Sequence, residues 1–170
     1  MDLHLGCGKN KMKGAIGLDI AALKGVDLVA DLSKGFPLKT GCAGKVYAYY
    51  VLEHLPDLAH AMNEIHRVLR PGGVLRAKVP YYASHHAFSD PTHRIFFSWK
   101  TFDHFTDGSG YNFYSDARFA YLRKTFACSE GNRLLGRVIM IVANRWPVFY
   151  ERYLNKFLRA EWLDIEMEKE

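Results

Sequence analysis

The chain has 170 residues, 49% of them hydrophobic, 24% charged and 14% aromatic, with a formal charge of +5. That is room for one packed domain, too apolar for a disordered chain, and basic enough to make an anionic partner conceivable without requiring one. The three cysteines, Cys7, Cys42 and Cys128, form no CxxC pair or dense framework and read as reduced thiols of a cytoplasmic protein. Met1 leads at once into Asp2 and a strand-like segment, so no signal peptide is expected. The strongest apolar stretch, Val138 to Ala143, is bounded by Arg137 and Arg145 and is too short to span a membrane.

In chain order, Leu3-His4-Leu5 is a short strand that runs into Gly6-Cys7-Gly8. Ala15–Ile20 and Val26–Asp31 are two further strands, each with an acid near its end, Asp19 and Asp31. Lys45–Val51, aromatic and β-branched, is the fourth. The period then changes: Leu58, Met62, Ile65 and Leu69 form one helical stripe, with Asp57 placed to cap it and Pro71-Gly72-Gly73 to stop it. Val74–Val79 is the fifth strand, and strand–helix–strand at this spacing is a βαβ unit of a parallel sheet.

From Pro80 to about Gly110, His, Asp, Pro, Phe and Gly crowd together without a period. A long loop is expected there, with one short helix near Trp99–Phe105, on the substrate side of the site. Phe119–Cys128 is a sixth strand. An insertion over 130–158 is helix-prone but broken at Pro147, and Trp162–Glu168 alternates as a final strand with one wet face.

A Gly-rich turn after the first strand permits close backbone approach to a ligand, and an acid ending the next strand can accept from a ribose diol. The dinucleotide fingerprint fails, because Lys11 stands where its third glycine belongs. LHLGCG, GLDI, DLVADL, YYVLEHLPD and HRVLRPGGVLRAKVP, in this order, nevertheless resemble the class I S-adenosylmethionine-dependent methyltransferases, and in particular the type 11 group, over residues 3 to 80.

The resemblance implies an α/β, Rossmann-like fold: one domain over 1–170, a mainly parallel sheet and an antiparallel last strand. It implies S-adenosylmethionine as cofactor and methyl transfer to an acceptor that the sequence does not name. Carried over by position, Gly6, Cys7 and Gly8 approach the methionine and ribose, and Asp19 with its neighbour Ile20 takes the ribose. Asp31 and Leu32 border the adenine, while Tyr49 and Tyr50 line the sulfonium region.

The departures from the family pattern are equally specific. Asn10 replaces a glycine, and the links among the first strands are too short for their usual helices, so one sheet face has reduced helical cover. The apolar residues of Leu134 to Phe157 run nearly all the way round. That segment should therefore fold back over the bare face or pair with its copy in a homodimer, which is the expected partner. The second reading of the whole chain is a methyltransferase-like binding or scaffold protein.

Within the long loop His85, His86, Asp90 and His93 allow three readings: a general base for the acceptor (His93 or His86), a metal site, or a capped turn with wetted histidines. The spacing H-H-x3-D-x2-H matches no known ligand pattern, and no metal is assigned. His54 reads as a structural tie. Between Arg118 and Arg159 nine Lys or Arg face two acids, Glu130 and Glu151, a bias that suits an anionic acceptor or a solvated face.

Overall fold

The computed structural model describes residues 1–108, 110, 112–128, 133–157 and 159–170. Seven strands form one sheet: β1 (Asp2–Leu5), β2 (Ala15–Asp19), β3 (Leu28–Val29), β4 (Ala43–Tyr49), β5 (Leu69–Pro80), β6 (Phe119–Ala127) and β7 (Trp162–Lys169). Their order is β3-β2-β1-β4-β5-β7-β6. β1 to β5 pair in parallel, and β7 is antiparallel to both of its neighbours. The mainly parallel sheet with an antiparallel last strand is as the sequence implied, and that last strand, β7, inserts between β5 and β6.

Helix α1 (Leu58–Val68) starts where expected, the Asp57 carboxylate accepting from the His60 N–H at 3.0 Å. It stops earlier than expected. Leu69 is already extended, and β5 runs through Pro71-Gly72-Gly73 instead of starting at Val74. Pairing decides this: Ala43 of β4 sits opposite Leu69, and the register shift between Ala43 and Lys45 absorbs the Pro-Gly-Gly residues as an irregularity inside the strand. β3 is also shorter than expected, because it lies at the sheet edge and pairs with β2 through only two residues.

No helix forms between β1 and β2. Side chains hold that link instead. Met12 N–H donates to His4 Nδ1 at 3.1 Å, and Lys11 Nζ reaches Asp27, whose carboxylate also accepts from Gly17 N–H at 2.7 Å.

The two sheet faces differ in chemistry. One carries Leu3, Leu5, Val46, Ala48, Leu75, Ala77, Leu163, Ile165 and Met167, all buried. Against it pack α1 and the 81–106 segment, whose Tyr81, Phe97, Phe102 and Phe105 are buried. The loop expected over Pro80–Gly110 is therefore anchored in the core by these rings, while His85, Phe88 to Thr92, Arg94 and Phe96 remain exposed. It contains α2 (His86–Ser89), which the sequence did not signal, and a 3₁₀ turn at Thr101–Phe105, where a short helix was expected. Its polar anchor is Asp103, which accepts from Lys124 Nζ at 2.5 Å and from the Tyr121 hydroxyl at 2.8 Å.

The opposite face carries a cross-strand row, His4, Tyr47, Arg76, Glu166 and Arg123, in successive register. Arg76 and Glu166 close a salt bridge at 2.8 Å. A parallel sheet normally needs both faces covered; here alternation of polar and aromatic residues keeps one face wet without a second helical layer.

The 134–157 segment does not cover that face. Helix α3 (Arg133–Arg145) lies along the outer strand, Asn144 taking the Phe126 N–H at 2.7 Å and donating to its carbonyl at 3.1 Å, which satisfies an otherwise open sheet edge. The break at Pro147 occurs as expected, followed by a π-helical turn, Tyr150–Leu154, whose Tyr150 ring packs on Phe126. Within the chain the segment is buried on one side only: Ile139, Ala143 and Tyr150 are buried, whereas Ile141, Val148, Phe149, Tyr153 and Phe157 are exposed, so folding back over the bare face is not the solution adopted. Residues 130–132 and 158 of the expected insertion lie outside the described residues.

Candidate functional site

At the carboxyl ends of β1, β2 and β4 lies a cavity of about 470 Å³ lined by Gly6, Asp19, Ile20, Ala30, Asp31, Leu32, Ser33, Tyr50, Val51, His54, Leu55, Pro56 and Arg94. Small-molecule sites span roughly 300–1,000 Å³, and open α/β sheets place them at this end. Six of the nine residues assigned to the cofactor by position therefore converge on one cavity: Gly6, Asp19, Ile20, Asp31, Leu32 and Tyr50.

Gly6 has φ +59, and a Cβ there would stand 2.4 Å from Val51 Cγ2. Only glycine lets β1 turn this closely past the end of β4. Asp19 holds the same turn from the other side. Its Oδ2 accepts from Gly8 N–H at 2.8 Å and its Oδ1 from Ala21 N–H at 2.9 Å, so each oxygen keeps a lone pair for a further donor. Asp31 caps the short 3₁₀ turn Leu32–Lys34, accepting from the Ser33 N–H at 3.0 Å and hydroxyl at 2.6 Å, bonds that lower its pKa. Ala30, Leu32 and the exposed Ile20 supply apolar walls.

Cys7, Gly8 and Tyr49 are not in the lining. The Cys7 thiol is turned inward against Gly17, and burial pushes its pKa up, away from nucleophilic chemistry. Gly8 contributes through its bond to Asp19. Tyr49 falls on the wet sheet face, edge-on to His4 at 5.8 Å, because side chains alternate along β4 and Tyr50 takes the cavity side. Among the described non-glycine residues Tyr50 alone has positive φ, at 56°. It meets Trp162 edge-on at 4.8 Å, with Lys78 Nζ over both rings.

The loop histidines separate. His86 stacks on Trp162 at 4.4 Å, next to His85, and its pKa is lowered by burial. His93 joins His54, ring against ring at 4.7 Å, because Arg94 and Ile95 N–H both donate to the Glu53 carbonyl and dock the loop on the end of β4. Glu53 is 1% exposed, and desolvation pushes its pKa up to about 7. The sequence reading weighed His54 but passed over Glu53, Arg94, Leu55 and Pro56. The EHLP string held the signal for three of them, while Arg94 comes from a loop that only the tertiary structure brings alongside.

Sheet order and site together define the Rossmann-like fold of class I methyltransferases. Residues 14–77 match the model of a family described as a methyltransferase domain, the stretch that carries most of the motifs quoted above. Among solved structures, a S-adenosylmethionine-dependent methyltransferase from Archaeoglobus fulgidus is similar at 18% identity and TM-score 0.63, over 99% of this chain and 85% of that one. The [4+2]-cyclase SpnF is similar at 15% identity and TM-score 0.60, over 99% and 73%. A Haloferax volcanii methyltransferase in complex with the activator Trm112 is similar at 14% identity and TM-score 0.61, over 98% and 81%. No curated protein matches the sequence. Among the described residues no helix is long and apolar enough to cross a membrane.

Proposed function

We propose that this protein binds S-adenosylmethionine in the β1–β2–β4 cavity and transfers its methyl group in line to an acceptor nucleophile. The observation that carries the reading is the joint geometry of Gly6 and Asp19: a close-approach turn beside a carboxylate that retains free lone pairs. Bound there, the cofactor supplies an electrophilic methyl on a sulfonium. Asp19 accepts from the ribose hydroxyls, with Gly8 keeping the carboxylate in place. Asp31, Ile20 and Leu32 border the base. Tyr50 faces the sulfonium region, where an aromatic ring favours a cation.

Positioning donor and acceptor at attack distance contributes much of the rate in such a step, up to roughly 7–11 kcal/mol. On the acceptor side His93 has a free ring nitrogen near the cavity-lining His54 and is the better-placed base. His86 lies behind Trp162. An anionic acceptor is supported by the concavity of Tyr82, His85, Phe88, Asn155, Lys156 and Arg159, which sets two cations beside aromatic walls. A homodimer is supported by the exposed Ile141, Val148, Phe149, Tyr153 and Phe157, because a monomer seldom leaves so many large apolar groups together in water.

The second reading, a binding or scaffold protein on this fold, is favoured by Asn10 and the absent helices. Calorimetry with S-adenosylhomocysteine, followed by a labelled-methyl screen over glycan, small-molecule, lipid and RNA acceptors, tests both. Micromolar binding and labelled product support transfer. Binding without product from any acceptor supports the scaffold, and absent binding refutes the cofactor assignment.

A further inference from the structure

We infer that Glu53, His54 and His93 form a binding site for one divalent transition-metal ion, zinc by the chemistry of its donors, at the mouth of the cofactor cavity. One ligand atom from each of the three lies within 4.8 Å of the others. Tetrahedral donors at about 2.1 Å from a shared ion stand about 3.4 Å apart, so closure draws the three atoms together by up to about 1.4 Å, within reach of side-chain rotation.

Three independent features make this a built site. Glu53 is fully enclosed, yet its Oε2 has no hydrogen-bond partner, a costly state for a buried carboxyl that an ion would relieve. His93 Nδ1 lies 3.0 Å from the Ala87 carbonyl, which can only accept; the ring therefore donates there and leaves Nε2 as a lone pair. His54 Nδ1 lies 2.8 Å from Thr92 Oγ1, and that hydroxyl spends its own proton on Asp90 Oδ1 at 2.7 Å. His54 must therefore donate to Thr92, and its Nε2 too is free. Both imidazoles are fixed by outer partners in the tautomer that ligates through Nε2, the arrangement seen around metal-binding histidines.

Two histidines and one carboxylate suit zinc and leave a position open. On the methyl-transfer reading, which this role presupposes, bound zinc takes the His93 lone pair and replaces it as the activating group, and the open position takes an acceptor hydroxyl. The ion stabilises the oxyanion as the O–H proton leaves to solvent. The oxygen then forms its bond to the methyl carbon while the S–C pair stays on sulfur, giving S-adenosylhomocysteine. The site itself does not depend on that reading.

Chelator-treated protein titrated with ZnCl₂ in a calorimeter tests the site, with CoCl₂ absorption reporting coordination number. One ion should bind per chain with tetrahedral cobalt bands, and His93→Ala should weaken binding by at least a hundredfold. Glu53→Gln should do the same but alters a buried group; Thr92→Val, which leaves all three ligands in place, should cost about 10–100-fold by freeing the His54 ring. No zinc uptake by wild type, or uptake unchanged in both His93→Ala and Thr92→Val, overturns the site. S-adenosylhomocysteine binding on the same metal-free sample separates the two proposals: binding without zinc uptake sinks this one alone, and zinc uptake without it sinks only the cofactor reading.

Discussion

Removing the Asp19 carboxylate tests the cofactor site at its most informative atom. Each of its oxygens already takes one backbone N–H, from Gly8 and Ala21, and would take one ribose hydroxyl in addition. A hydrogen bond to a charged group contributes about 1.5–3 kcal/mol, so losing both ribose bonds should cost about 3–6 kcal/mol, roughly a hundredfold or more in affinity. Asp19→Ala also frees the Gly8 N–H and loosens the turn, so a weaker complex alone would not identify the ribose as the contact. A double cycle does. S-adenosylhomocysteine and its 2′,3′-dideoxyribose analogue are each titrated calorimetrically into wild type and Asp19→Ala. A slack turn weakens both ligands alike, whereas a lost ribose contact removes the preference for the hydroxyls. The wild type should prefer the ribose ligand by at least tenfold and the variant by less than twofold. If the preference survives in Asp19→Ala, Asp19 is not the ribose ligand.

Gly6→Ala places a Cβ 2.4 Å from Val51 Cγ2 at φ +59, so calorimetry should show cofactor affinity lost together with about 1–3 kcal/mol of stability in a denaturant titration. Asp103→Ala leaves the Lys124 ammonium, whose side chain is only 9% exposed, without its carboxylate; urea unfolding should record a loss of about 3–5 kcal/mol, and adding Lys124→Met should recover most of it. Sedimentation at micromolar concentration should show a dimer that Phe149→Asp/Phe157→Asp converts to monomer. A wild-type monomer refutes the dimer, and detergent-dependent behaviour would instead point to a lipid surface.

Much of this protein was legible in its sequence because the determining physics is local. A Gly-x-Gly after an apolar triplet, an acid four residues into β2, the period of α1 with Asp57 at its cap, and the alternation of β7 each follow from neighbours a few residues apart. The cofactor assignments that converge on one cavity were of this kind. Tyr49 lies outside that lining through alternation along β4, whereas Cys7 and Gly8 lie outside it because the turn after β1 points the thiol inward and gives Gly8 to Asp19.

Long-range pairing decided the remainder. Opposing Ala43 with Leu69 drew Pro71-Gly72-Gly73 into β5, although any local reading makes those residues a stop. Of the two places expected for the helical segment around Pro147, the bare sheet face or a homodimer interface, it does not take the first: the open edge at Phe126 offered backbone groups that Asn144 satisfies, while Arg76 and Glu166 pair across the face itself. Glu53, His54 and His93 meet because the Arg94 and Ile95 amides dock on the Glu53 carbonyl, a contact spanning about forty residues that no periodicity encodes.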